Sequence, residues 1–296
     1  MKVLFLVVGV AVAYQAAVLA LVVVGWRNPR VRHRRDPGSL GLAFEEVRFP
    51  TAGAKTLYGW WIPSAVAAAP VLILVHGWGR NVERMLPYVA MLHPAGFDLL
   101  VFDARHHGSS DEDGFAALPK FSDDIRAAVD FVATRRPPGR ADVGVLGLSI
   151  GGAAAIHASS CDPRIAAVAT IGAFADPADP RATIGRHWWL LAPGLPLAFR
   201  LVERRVGTRF RRIAPERVLG AARARFLLIH GTEDTVVPVA HARRLAAAAG
   251  AAARSWIVPG RGHSDLHLEG ALAATVTGFF ADALHTSSGR AAERMP

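Results

Sequence analysis

The chain opens on its longest apolar stretch, Val3 to Trp26, 24 residues without a charge. As a helix rising about 1.5 Å per residue, this is long enough to cross a roughly 30 Å hydrocarbon layer. Beyond a short polar interval the pattern changes to brief apolar runs. Phe44 to Thr51 and Thr56 to Pro63 are extended runs flanking Ala52-Gly53-Ala54-Lys55, which predicts a hairpin. Val71 to Val75 is continuously apolar, the pattern of a strand covered on both faces. From there strand and helix patterns alternate. Arg84 to Ala95 is predicted as a helix and Asp98 to Phe102 as a strand. Phe121 to Arg136 carries Phe121, Ile125, Val129 and Val132 at helical spacing and is stopped by Pro137-Pro138-Gly139. Val143 to Leu148, Ile165 to Ile171, Arg225 to Ile229 and Ser255 to Val258 follow as strands. Gly151 to Ile156, Pro238 to Ala249 and Leu268 to Leu284 are the intervening and closing helices. This alternation predicts an α/β domain, a mostly parallel sheet with helices on both faces, entered through an antiparallel hairpin.

One segment breaks the alternation. Asp176 to Ala224 stands where a single helix would connect two strands, yet it is several times too long and contains Pro177, Pro180, Pro193, Pro196 and Pro215. An excursion of that length predicts a helical cap over a site. Trp188, Trp189, Leu190, Leu191, Leu195 and Phe199 give it an apolar surface, and its arginines, from Arg200 to Arg212, a basic one. Two readings stay open: aromatics packed on the sheet with solvated arginines, or a cap that also rests on a bilayer and admits lipid-like substrates. The predicted organisation is a transmembrane anchor at 1–26, a basic juxtamembrane linker at 27–39, a domain at 40–284 with the insertion at about 176–224, and a polar, flexible tail at 285–296.

Composition narrows the classes. Cys161 is the only cysteine among 296 residues, so an internal disulfide and a thiolate metal framework are excluded; Cys161 itself is expected to be buried or half-buried near the end of its helix. The net charge of +10 raises nucleic acid as a partner, but the excess sits in the juxtamembrane run and in 181–225 without a nucleic-acid motif, so none is predicted. A cleaved signal peptide would show a shorter apolar region and a small-x-small site, whereas this run ends in Gly25, Trp26 and Arg27. Arg27, Arg30, Arg32, Arg34 and Arg35 on the far side, against Lys2 on the near side, predict a single-pass protein of the cell inner membrane with its domain facing the cytoplasm. The same arginines could lie on anionic headgroups.

The chemistry centres on GLSIGG. Ser149 stands between Gly147 and Gly151 at a strand-to-helix turn, the G-x-S-x-G arrangement that presents a serine hydroxyl on a tight turn. A serine needs a base, and the base an orienting carboxylate. Candidates lie just after later strands, where ligands bind in a parallel sheet: Asp234 in HGTEDTVVP and His263 in PGRGHSD, with Glu233 and His267 in reserve. Backbone N–H groups of Ile150 and, in the loop HGWGRN, of Trp78 are the candidate oxyanion donors. His76 is read as structural, holding that loop through its ring nitrogens. Asp103 and Arg105 are read as loop-fixing. Adjacent His106 and His107 do not suit joint metal ligation, and the chain has neither a Walker pattern nor GxGxxG, so no metal or cofactor is predicted.

The ordered blocks HGWG, DARHHGSS, GLSIGG, and HGTEDTVVP with GRGH resemble the α/β-hydrolase superfamily, over roughly Leu40 to Leu284, and within it bacterial serine esterases, lipases and peptidase-like members. The resemblance implies the α/β-hydrolase fold with a cap, Ser149 as nucleophile, Asp234 as acid, His263 as base, and Trp78 and Ile150 as oxyanion donors. The second histidine of DARHHGSS stands where many relatives carry glycine in DxRGxGxS. The expected function is a membrane-anchored serine hydrolase of carboxylic esters, lipid-like ones included, working through an acyl-enzyme. An amidase or peptidase with the same triad, and a non-catalytic tethered binding module, are the alternatives. The expected partners are the ester substrate and the membrane, with no specific protein partner.

Overall fold

The computed structural model describes residues 1–25, 28–136, 142–185 and 187–292. Trp26 and Arg27 at the end of the apolar run, and the Pro137-Pro138-Gly139 stop, lie outside them. Among the described residues an eight-stranded sheet is built from β1 (Glu45–Thr51), β2 (Lys55–Ile62), β3 (Val71–Val75), β4 (Asp98–Phe102), β5 (Val143–Leu148), β6 (Ile165–Ile171), β7 (Arg225–Gly231) and β8 (Ala253–Val258). The order is β1-β2-β4-β3-β5-β6-β7-β8. β2 runs antiparallel to both β1 and β4, and every later pairing is parallel. This is the α/β-hydrolase fold expected from the sequence. The chain leaves β3 for β4 on one side and returns to β5 on the other, so a crevice opens between the loops after β3 and β5.

Helices cover both faces. Leu72 and Leu74 of β3 point to the core shared with α2 (Leu86–Leu92) and α10 (Leu272–Ala292). Val71, Ile73 and Val75, one residue out of phase, point to α3 (Leu118–Thr134) and α4 (Ile150–Cys161). That alternation explains the unbroken apolar run: each neighbour is buried, but on the opposite side. α9 (Ala240–Ala249) lies between β7 and β8 in the chain and packs against both.

Several boundaries depart from expectation. The predicted helix 84–95 is three pieces: a 3-10 turn Val82–Met85, then α2, then a 3-10 turn His93–Ala95. Pro87 and Pro94 each open a new piece, because a proline supplies no N–H to a continuing ladder. The closing helix starts at Leu272 after a 3-10 turn Leu266–Leu268 and runs to Ala292, past Leu284. Cys161 is exposed, contrary to expectation. It is the last residue of α4, and the buried face of that helix ends at Ser159.

Among the described residues the insertion holds α5 (Pro180–Thr183), two 3-10 turns at Trp188–Leu190 and Ala192–Gly194, α6 (Leu195–Val206), α7 (Phe210–Ile213), α8 (Pro215–Val218) and a third 3-10 turn at Leu219–Ala221. Trp188 packs against the core, but Trp189 is 61% exposed. α1 (Lys2–Gly25) is long and apolar enough to cross a membrane by length and composition. The following linker is held on the domain. Arg30 pairs with Glu112 at 2.9 Å, Arg35 with Glu83 at 2.9 Å, and the Asn81 amide donates to the Val31 carbonyl at 2.8 Å. At least two of the basic linker side chains therefore face protein carboxylates.

Candidate active site

β5 ends at Leu148 and α4 begins at Ile150, so Ser149 alone makes the turn between them. Its backbone is left-handed, with φ 52° and ψ −119°. This conformation is costly for a residue with a side chain and persists only where the surroundings enforce it. Its N–H donates to the Ile171 carbonyl at 2.9 Å and its carbonyl accepts from Ala153 at 3.0 Å, which ties the turn to β6 and to the first turn of α4. The flanking glycines are required by space. A Cβ on Gly147 would stand 2.5 Å from the Gly151 backbone, and one on Gly151 would stand 2.5 Å from the His76 carbonyl oxygen.

The loops after β7 and β8 bring the other two candidates together. His263 donates from Nδ1 to Asp234 Oδ2 at 2.7 Å, which leaves Nε2 as the acceptor of the neutral ring. Asp234 Oδ1 accepts from the Val236 and Val237 amides at 2.9 and 2.7 Å. His230 Nε2 lies 3.2 Å from Oδ2 and donates its proton at 2.7 Å to the Val237 carbonyl. Burial alone would raise the pKa of Asp234, but the contacts with the His230 and His263 rings and the Val237 amide outweigh it and hold the carboxyl well below its usual range. Asp234 is therefore an anion at neutral pH, able to fix the tautomer of His263 and to stabilise its protonated form. Gly172, with φ 67°, makes room for the pair: a Cβ there would sit 3.0 Å from His263 Nδ1.

Ser149 and His263 line one cavity of about 310 Å³, with Trp78, Arg80, Arg84 and Ser264 on its walls. On the other side of Ser149 lies a second cavity of about 280 Å³. Its lining includes Ala117, Leu118 and Phe174 from the domain and Val206, Phe210 and Ile213 from the insertion. Side chains of the insertion thus border the cavity beside the serine. Trp78 borders both cavities, and Ile150 borders the apolar one from the N-terminus of α4. The reserve residues stay outside: Glu233 is exposed, and His267 sits on the 3-10 turn before α10, its ring 6.4 Å from that of Tyr88.

The loop that carries Trp78 is braced by two neutral histidines. His76 Nε2 accepts from the Ala104 amide at 3.1 Å while Nδ1 donates to the Gly77 carbonyl at 2.7 Å, the structural task read from the sequence. Burial, aided by the neighbouring His107, drives its pKa down to about 3. His107 was not singled out for this task. It donates from Nδ1 to the Arg105 carbonyl at 2.9 Å and accepts at Nε2 from the Gly79 amide at 3.3 Å, and burial lowers its pKa to about 4. The departure from DxRGxGxS also falls one residue earlier than expected. His106, not His107, holds the left-handed position, with φ 65°. Asp103 and Arg105 do fix this loop: Asp103 accepts from Val82 and Ser109 amides at 2.8 and 2.7 Å, and Arg105 Nε donates to Asp124 at 2.7 Å.

A family model described as serine aminopeptidase, S33, matches residues 67–217. The chain belongs to that family. Trp78, Ser149, Ile150 and most of the insertion fall within the span of this S33-type match; Asp234 and His263 lie beyond it. The uncharacterized protein Rv2307c of Mycobacterium tuberculosis is 28% identical over 231 residues, 76% of this chain and 74% of its own. The uncharacterized protein YfhR of Escherichia coli K12 is 28% identical over 227 residues, 75% and 74% of the two chains. The Pyrococcus furiosus esterase Pf2001 superposes with a TM-score of 0.70 at 20% sequence identity, covering 87% of this chain and 99% of that one. At such identity the likeness is one of fold.

Proposed function

We propose that the protein is a membrane-anchored serine hydrolase that cleaves carboxylic esters through an acyl-enzyme. Ser149 attacks the ester carbonyl, His263 takes its proton at Nε2 and returns it to the departing alkoxide, and anionic Asp234 holds the imidazolium. The backbone N–H groups of Ile150 and Trp78 receive the developing oxyanion. Water then attacks the acyl-enzyme with His263 again as base, releasing the carboxylic acid and restoring Ser149.

The observation that carries this reading is that Ser149, on its strained turn, lines one cavity with His263, whose Nδ1 is held by Asp234. The adjoining cavity supports an acyl group: its walls are almost entirely apolar and, among the described residues, include no carboxylate. An amide or peptide substrate is the second reading, favoured by the family description. An aminopeptidase has to hold a substrate ammonium, and an apolar cavity without a carboxylate is poorly suited to that. α1 supports the anchor, and the arginines from 27 to 35 support a cytoplasmic domain.

The test compares matched acyl esters and acyl amides of graded chain length on the purified full chain. The expected outcome is ester turnover that is lost in Ser149→Ala, with amides slower by orders of magnitude. Faster cleavage of aminoacyl amides than of any ester would replace the ester reading by the peptidase one. Turnover unchanged in Ser149→Ala would remove the nucleophile.

A further inference from the structure

Beyond Lys2, α1 is apolar nearly all round, but it is not uniform in its surroundings. Val3 to Val12 stands clear of the protein, with Phe5 70% exposed. In the second half one face is covered: Tyr14, Gln15, Val18, Leu19 and Val22 form a buried or half-buried stripe at helical spacing, with Val18 only 1% exposed. The opposite face, Leu21, Val23 and Val24, stays open. The stripe meets the insertion. α1 packs on α6 and on the 3-10 turn Ala192–Gly194 that leads into it. The Tyr14 hydroxyl donates to the Leu190 carbonyl at 2.9 Å, and Gln15 Nε2 donates to the Gly194 carbonyl at 3.1 Å. Gly194 is pressed on Val18, since a Cβ there would lie 2.9 Å from a Val18 methyl.

Two facts give the contact a direction. After Lys2, Tyr14 and Gln15 are the hydrogen-bonding side chains of an otherwise apolar helix, and such donors are expensive in hydrocarbon unless a partner accompanies them. Their partners are carbonyls of the insertion, so this part of the insertion must lie at the depth of the helix where these residues sit. Beside the contact the insertion leaves Trp189, Leu190 and Leu197 exposed, each 47% or more, the amphipathic and apolar types that settle at a membrane interface.

We propose that the Tyr14–Val22 half of α1 is the seat of the cap, holding residues 188–197 at the depth of Tyr14 and Gln15 so that the apolar cavity beside Ser149 is filled by acyl chains drawn from the bilayer. The proposal rests on the serine-hydrolase reading only for its statement about acyl chains; the seat and its depth do not depend on catalysis.

The experiment uses the full chain in vesicles of phosphatidylcholine and phosphatidylglycerol. A nitroxide is placed at Leu197→Cys in a Cys161→Ser background. Wild type labelled at exposed Cys161 serves as the water reference, and Val10→Cys, Cys161→Ser as the lipid reference. The expected result is that position 197 collides with oxygen in preference to a water-soluble nickel complex, as position 10 does. Tyr14→Phe with Gln15→Leu removes both donors and keeps the helix apolar, so the protein stays in the membrane. In that variant the label at 197 gains water exposure and mobility. Its kcat/KM for a long-chain ester embedded in the vesicles falls by about tenfold, as loss of two hydrogen bonds of ordinary net strength allows, while a short soluble ester is cleaved as before. A water-like profile at 197 in the parent protein overturns the proposal. So does a Tyr14→Phe, Gln15→Leu variant indistinguishable from the parent in both label and long-chain turnover. Lipid contact at 197 without any ester turnover would instead sink the hydrolase reading and leave the seat standing.

Discussion

Asp234 shows how much a single side chain is asked to do. Its Oδ1 closes the turn by accepting the Val236 and Val237 amides, and its Oδ2 holds His263. The turn-forming and charge-orienting tasks, alternatives when only the sequence is considered, fall to different oxygens of one carboxylate. Asp234→Asn keeps the size and can still receive the turn amides at its carbonyl, but it presents an amide where an anion faced the imidazole. The expected loss is in kcat, on the order of 10⁴ where the same exchange reverses a histidine tautomer. Steady-state kinetics alongside near-UV circular dichroism checks it: a fall in kcat with an unaltered spectrum is expected, and near-wild-type turnover would remove Asp234 from the mechanism. His107 illustrates the opposite case of a residue whose task is invisible in one dimension. Its acceptor role depends on the Gly79 amide, 28 residues away in the chain, and no local pattern announces it.

At the scale of elements, the strands were the most legible part. Val71–Val75, Asp98–Phe102 and Ile165–Ile171 have the bounds expected, because a strand buried on both faces is a continuous apolar run with abrupt polar ends. Helix ends were less legible, since prolines and 3-10 turns divide a periodic stretch without altering its periodicity. The candidate site was legible where a residue type is dictated locally, as at Gly147, Ser149 and Gly151. It was not where the constraint comes from a distant loop, as at Gly172 beneath His263. The close approach of α4 to the end of β3 makes Gly151 a sharp test. In Gly151→Ala the new methyl meets the His76 carbonyl oxygen at 2.5 Å and the Val75 carbonyl oxygen at 2.8 Å, so strand and helix must part, at a cost of roughly 1–3 kcal/mol. Gly220→Ala, whose Cβ would have nothing within 4 Å, is the control. Chemical denaturation should separate the two, and equal midpoints would contradict the packing described.

For the whole molecule, buried neutral histidines predict how stability varies with pH. The folded values, about 3 for His76 and about 4 for His107, lie below the ordinary 6.5. Between those values the unfolded chain binds protons that the folded one refuses. This contribution is therefore intact above pH 6.5 and is lost as the pH falls from there towards 4, by up to about 1.4 kcal/mol per pH unit for each histidine. Asp103 and Asp124, both pushed up to about 6 by burial, oppose the slope between about pH 4 and 6, but equally in any histidine variant. His107→Gln, which can still accept from Gly79, should flatten the decline in melting temperature between pH 7 and 5; identical slopes would show that His107 is not held neutral. The same neutrality keeps the His76 to Gly79 loop in one arrangement across the physiological range, beside a serine that the fold has already placed on a strained turn.

The most direct measurement is covalent. The full chain in native membranes is treated with a fluorophosphonate, which phosphonylates an activated serine, and the modified peptide is located by mass spectrometry. The expected result is a single adduct on Ser149, absent in Ser149→Ala and after heat denaturation. An unlabelled native protein beside a labelled reference serine hydrolase, or an adduct that persists in Ser149→Ala, would contradict the account.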